Sequence, residues 1–224
     1  MLLRETLRFL SDLDKNNNKD WFEANRTVYE KAKANVTDLV ADLLNGIATF
    51  DEHVIGIAPS KALFRIHRDV RFSKDKSPYK TNFGARLQPK ESQHARAGYY
   101  LHIEPGECFV AGGLYMAEPH ALSAVRQAID SDPGRFTTIA ESTSFKKMFG
   151  ELKGDQLKRV PKGYQQDHPM ASYLKYKSFL MVRAFGEKEM LEKDFVKNAL
   201  QYYKGMKPLN DFINEAVSET AEIK

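Results

Sequence analysis

Apolar residues along the chain change their spacing twice, from three and four to two near residue 62, and back again after residue 115. Early on, Leu7, Phe9 and Leu10 line one side of a helix predicted over 5–13, which stops in the turn-forming run Lys15-Asn16-Asn17-Asn18. Asn18 or Asp20 offers a side-chain acceptor to the free N–H groups of the next helix, and Glu23 suits its first turn. Phe22, Tyr29, Val36, Leu39, Val40, Leu43 and Ile47 then hold helical spacing, so one long helix is predicted over 19–45, ending near Asn45-Gly46.

From residue 62 the period is two. Phe64, Ile66, Val70 and Phe72 occupy even positions, interrupted by Arg68, while Arg65, His67, Asp69 and Arg71 occupy the odd ones, the pattern of a half-buried strand over 62–72. Ser73 to Thr81, with Pro78 inside it, reads as a loop. Residues 83–87, 99–104 and 108–115 alternate again, and Pro105-Gly106 makes the last two a hairpin. Gly112-Gly113 within an apolar strand signals a bulge, or a close approach by a backbone or ligand. Helices are predicted over 119–130 and 133–141, behind Glu118-Pro119 and Asp132-Pro133, and over 144–152. A nearly continuous apolar run predicts a strand over 176–185 inside the sheet, and two helices, 187–204 and 208–219, follow on either side of Gly205 and Pro208. With no repeat and no long linker, these elements predict a single α+β domain over 1–224, a mainly antiparallel sheet flanked by N-terminal and C-terminal helices.

Composition narrows the class without naming a reaction. At 224 residues, 42% hydrophobic and 29% charged, the chain is neither collagenous nor largely disordered, and its one cysteine excludes an internal disulfide framework. No run approaches the roughly 18 apolar residues of a bilayer span, and charge appears at Arg4 and Glu5, so a cytoplasmic protein without a membrane partner is expected. Charge distribution matters more than the net +4: residues 61–98 hold ten Lys and Arg against three Asp and Glu, a surplus of seven. Such a basic block inside a folded region more often lines something than does a basic tail.

Several stretches carry a resemblance. Asn16-Asn17-Asn18-Lys19-Asp20-Trp21-Phe22, the long block from Phe64 to Thr81, and Gly98-Tyr99-Tyr100-Leu101-His102-Ile103-Glu104-Pro105-Gly106 are similar to signature blocks of a bacterial and fungal family catalogued as domain of unknown function 2461. Gly163-Tyr164, Asp167-His168-Pro169 and Leu174-Lys175 resemble its C-terminal block, so the likeness runs from about Leu7 to the last helix. The resemblance implies one domain with a basic centre, and no activity.

The candidate chemistry lies in that centre. Arg65, Arg68, Arg71, Lys74, Lys76 and Lys80 face only Asp69 and Asp75 within the block, a composition suited to phosphate or carboxylate, with Ser73, Ser77 and Thr81 as further donors. The glycines of a P-loop are absent. Arg68 falls on the apolar side of the predicted strand and requires a partner there. Strand phase gathers Arg65, His67, Tyr100, His102 and Glu104 on one sheet face, with Arg86 beside them. His102 and Glu104, two apart on a strand, point the same way, the condition for an acid–base pair. A third metal ligand would have to come from His67 or Asp69, and with no cysteine cluster or helical His pair neither a metal nor a cofactor is expected. Cys108 reads as a buried structural thiol rather than a nucleophile served by His102, and Asp167-His168-Pro169 as a helix start.

The leading expectation is therefore a protein that binds a small anionic ligand through Arg65, His67, Arg71, Lys74, Lys76, Lys80, Arg86 and Tyr100, with His102 and Glu104 supplying acid–base chemistry. The alternatives are a nucleic-acid-binding module that uses the same block, and a protein-interaction domain without a small ligand. A pocket converges its cations, whereas nucleic acid calls for a spread stripe with exposed aromatic rings.

Overall fold

A computed structural model describes residues 1–89 and 95–221. The fold is α+β, with helices flanking a four-stranded antiparallel sheet of order β1-β2-β3-β4. Its strands are β1 (Phe83–Leu87), β2 (Gly98–Ile103), β3 (Cys108–Leu114) and β4 (Phe179–Phe185). The chain forms two compact units: one holds residues 1–87, 100–110 and 184–201, the other 88–99, 111–183 and residues from Tyr202 on. β2, β3 and β4 each contribute residues to both.

The first unit opens with α1 (Arg4–Lys15), which buries Leu7, Phe9, Leu10 and Leu13 and ends at the asparagine run. Asn18 caps α2 (Lys19–Ala24) by accepting from the Trp21 N–H. The single helix expected over 19–45 is in fact two, because Asn25 stands at φ −107° and ψ 14° between α2 and α3 (Arg26–Ile47) and its side-chain amide donates to the Trp21 carbonyl. Asparagine competes in this way for backbone partners and interrupts helices. Asn17, next to the cap Asn18, acts as a surrogate strand: its amide donates to the Tyr79 carbonyl and its oxygen accepts from the Tyr79 N–H. Phe22 stacks on Tyr79 at 4.0 Å between ring centroids, and Tyr29 on Phe83 at 6.4 Å, so the helical face seals the loop and the start of β1. A short helix, α4 (Pro59–Ala62), precedes the basic block.

Residues 62–72 do not form the expected strand. Among the described residues their bridge to the sheet is Leu63 with Ala85, and they fold back on themselves where His67 bridges Tyr79. Local side chains take the backbone out of the ladder. Asp69 accepts from the Arg71 guanidinium and N–H, while Asp75 accepts from the Ser77 hydroxyl and N–H and pairs with Arg68. Side-chain bonds of this kind offer the chain an alternative to regular pairing. Of the four alternating apolar residues only Ile66 is fully buried, and Phe72 is 95% exposed.

The second unit contains α5 (Pro119–Ser131), α6 (Pro133–Ala140), α7 (Thr143–Phe149) and α8 (Ala171–Leu174). Asp132 and Ser142 cap α6 and α7 with their side chains, whereas Glu118 makes no such bond to α5. The helix start expected at Asp167-His168-Pro169 lies further on, at Met170; His168 instead accepts from the Met170 N–H and meets Asp130 at 2.9 Å. β4 stands at the end of the strand order rather than inside the sheet, its outer side bridged by Lys153 at Leu180. Gly113, at φ +119°, lets the Phe179 carbonyl approach so closely that a Cβ would lie 1.9 Å from its oxygen.

After α9 (Glu187–Met190) the two expected C-terminal helices merge into one, α10 (Phe195–Ala221), with Pro208 inside it. Gly205 does not end the helix; it makes room for the Met148 side chain, which would come within 2.6 Å of a Cβ. Beyond Pro208 the helix continues because Leu209, Phe212 and Ile213 are buried, and because Asn210 and Asn214 donate to the carbonyls of Gly98 and Ala97.

Candidate functional site

Strand alternation in β2 sends Tyr99, Leu101 and Ile103 into the core and leaves Tyr100, His102 and Glu104 part-exposed on the opposite face. These three form a hydrogen-bonded line. Tyr100 Oη lies 3.0 Å from His102 Nδ1, and His102 Nε2 lies 3.1 Å from Glu104 Oε2. A carboxylate only accepts, so Nε2 carries the proton and Nδ1 accepts from the Tyr100 hydroxyl. Thr81 donates to the other Glu104 oxygen at 2.5 Å, and Phe109, from β3, stacks on the His102 ring at 4.6 Å and 10°. The His102–Glu104 pair is thus held at both ends and on one face.

Two cations stand against one aromatic ring beside this line. Lys80 Nζ lies 5.3 Å and the Arg86 guanidinium 5.2 Å from the Phe64 ring centre, and Phe64 itself lies 6.1 Å from Tyr100. Gly84, between them in sequence on β1, lets two rings pack against its backbone: a Cβ there would meet Tyr100 Oη at 2.5 Å and Phe64 Cδ2 at 3.0 Å. Burial lowers the Lys80 ammonium from its ordinary value, and the charge of Arg65 adds to the effect. Burial likewise pulls the Arg86 guanidinium down, against a smaller opposing influence of Tyr100. Among the described residues neither cation has an ion pair or a side-chain hydrogen bond.

The remaining sequence candidates divide by what already occupies them. Arg71 is clamped on Asp69, Lys76 donates to the Val70 carbonyl, and His67 packs against Tyr79 at 5.1 Å and Phe22 at 6.3 Å. Arg65 and Lys74 are exposed. Arg68 has the partner its position demands: its guanidinium pairs with Asp75 and donates to the Ser77 carbonyl. Lys80, Arg86, Tyr100, His102 and Glu104 are therefore brought together, while Arg71, Lys74 and Lys76 belong to the loop. Phe64, Gly84 and Phe109 are parts of the site that sequence reasoning misses. Phe64 falls on the buried side of a strand that does not form; Phe109 alternates with Cys108 and Val110, which is a usable signal for the polar face. Cys108 is buried, its thiol is pushed up by desolvation, and it donates to the Glu104 carbonyl at 3.2 Å rather than to His102.

No group of three His, Cys, Asp or Glu side chains is placed to hold a metal among the described residues, and no helix there is long and apolar enough to cross a membrane. The class is an α+β protein whose sheet carries a polar face with an ordered Tyr-His-Glu line and two cations. The chain belongs to the family described as Conserved hypothetical protein (DUF2461), which matches residues 5–212. No curated protein and no solved structure matches it.

Proposed function

We propose that this polar sheet face binds a small anion, a phosphate or carboxylate, and acts on it by acid–base chemistry through His102 and Glu104. One observation carries the reading: Lys80 and Arg86 are part-buried, share the Phe64 ring, and lack an acid partner among the described residues. Desolvating a cation without a partner is costly, and a bound anion offsets that cost at both residues at once. Two arginines of the block, Arg68 and Arg71, are already matched by Asp75 and Asp69. The test is the melting temperature across millimolar inorganic phosphate and small carboxylates, since a ligand specific to the folded state raises it by mass action. Lys80→Ala or Arg86→Ala weakens binding by about 1.5 to 3 kcal/mol for each charge-assisted hydrogen bond removed, while Arg71→Ala leaves it nearly unchanged. Unchanged affinity in both site variants sinks the reading.

A second reading, nucleic-acid binding by the loop, draws on Phe72, which is 95% exposed, with the Arg71 guanidinium 5.8 Å from its ring. An exposed ring beside cations suits base stacking. Titration of a short oligonucleotide at several salt concentrations tests it: Lys74→Ala reduces the salt slope by roughly one unit if that residue meets a phosphate. We place the protein in the cytoplasm, in keeping with a single buried cysteine and no disulfide framework.

A further inference from the structure

The geometry points to Tyr100, rather than His102, as the group that meets the ligand: an activated phenolic oxygen that takes a proton from the bound anion. This rests on the anion site proposed above. Both imidazole nitrogens of His102 are already engaged, Nδ1 with Tyr100 Oη at 3.0 Å and Nε2 with Glu104 at 3.1 Å. One ring face is covered by Phe109, and only 12% of the His102 side chain is exposed. His102 thus has no nitrogen left for a ligand, and its basicity reaches the site through the oxygen of Tyr100. That oxygen lies over Gly84, and its ring borders the Phe64 that carries both cations.

The proton movements balance. The Tyr100 hydroxyl proton passes to His102 Nδ1, giving an imidazolium whose Nε2–H is held by the Glu104 carboxylate. The phenolate oxygen then takes an acidic hydrogen from the ligand, which regenerates the hydroxyl and leaves one more negative charge on the ligand, facing Lys80 and Arg86. The substrate class is therefore a small phosphate or carboxylate that bears an acidic O–H or C–H beside the anionic group. Glu104 and Thr81 are positioning residues that fix the tautomer and orientation of the imidazole.

An arylsulfonyl fluoride tests this without knowing the substrate. Attack by a phenolate oxygen on sulfur forms the O–S bond and expels fluoride, while the hydroxyl proton leaves through His102 to solvent. Mass spectrometry of the wild-type protein is expected to place the adduct on Tyr100 ahead of the other nine tyrosines, including Tyr115, which is 60% exposed. His102→Gln is expected to slow labelling by about 100-fold, the scale of a missing general base, with Glu104→Gln slowing it less and the melting temperature of each confirming a folded chain. Labelling that favours Tyr115, or a rate at Tyr100 indifferent to both variants, overturns the proposal. The wild-type adduct map needs no variant to fold. Inorganic phosphate, as the probe anion, separates the two readings. Tyr100 labelling that depends on His102 but is unprotected by phosphate supports the relay and removes the anion site. Phosphate-dependent melting without preferential labelling of Tyr100 keeps the anion site and removes the relay.

Discussion

A methyl group added at Gly84 and one added at Gly113 meet different kinds of obstacle. At Gly84 the neighbours are side-chain atoms, Tyr100 Oη at 2.5 Å and Phe64 Cδ2 at 3.0 Å, and the rings that carry them can shift. At Gly113 the neighbour is the Phe179 carbonyl oxygen at 1.9 Å, and the backbone stands at φ +119°, where an L side chain is strained. Gly84→Ala is expected to cost about 1 to 3 kcal/mol in urea denaturation, as overpacking does, and to displace the two rings around which the proposed anion site is built. Gly113→Ala is expected to cost more than that, because overpacking and backbone strain add, with soluble yield as the first sign. The Gly113 constraint was partly legible in the sequence, since a glycine pair inside an apolar strand signals a bulge or a close approach by a backbone or ligand, and the Phe179 carbonyl makes that approach. Gly84 was not: in alternation it is simply a polar-side position, and only the rings crossing from Phe64 and Tyr100 give it meaning.

At the scale of elements, the basic loop is held by its own side chains, and its acids respond to pH. The Asp75 carboxyl is lowered from 3.8 to about 2, first by the hydroxyl and N–H of Ser77 and then by the Arg68 guanidinium. A carboxyl held low in the folded chain stabilises it fully above its unfolded value, and that contribution fades as pH falls from about 4 toward 2. Asp75→Asn is expected to reproduce the acid state at neutral pH, seen as faster amide exchange at Arg68 and Ser77; wild-type protection there would show that the clamp does not hold the loop. A second clasp joins α5 to the chain between α8 and β4, where Arg126 donates to the carbonyls of Leu174 at 2.9 Å and Tyr176 at 3.0 Å. Arg126→Ala leaves both carbonyls without that donor and is expected to lower unfolding free energy by about 2 kcal/mol. Strands β1 to β3 were legible from runs of period two and the Pro105-Gly106 turn, and β2 shows that alternation in its burial most clearly. The false strand over 62–72 alternates equally well, but its Asp69, and Asp75 in the loop after it, spend their acceptors on nearby residues, which periodicity does not register. Pro208 misleads for a related reason: a proline removes one helical N–H, and the buried residues after it outweigh that loss.

For the whole molecule, the two compact units share strands rather than lying end to end in the chain, since β2, β3 and β4 each pass from one set of residues to the other. Neither unit keeps a complete set of strands without the other. Urea unfolding is therefore expected to give one transition, with the fluorescence of the single tryptophan, Trp21 in the first unit, coinciding with far-ultraviolet circular dichroism of the whole chain. Two separated midpoints would show that the units unfold independently. The net charge of +4 is a poor guide to such a molecule, because Asp69 and Asp75 are already committed to Arg71 and Arg68 while Lys80 and Arg86 have no acid partner among the described residues. The lone cysteine has a practical consequence. Cys108 is buried with its thiol raised by desolvation, so maleimides at neutral pH should pass it by and the native chain presents a blank background for thiol coupling. A cysteine introduced at Phe72 then becomes the sole attachment point for a solvatochromic dye, turning the most exposed ring of the basic loop into an optical reporter of whatever docks there.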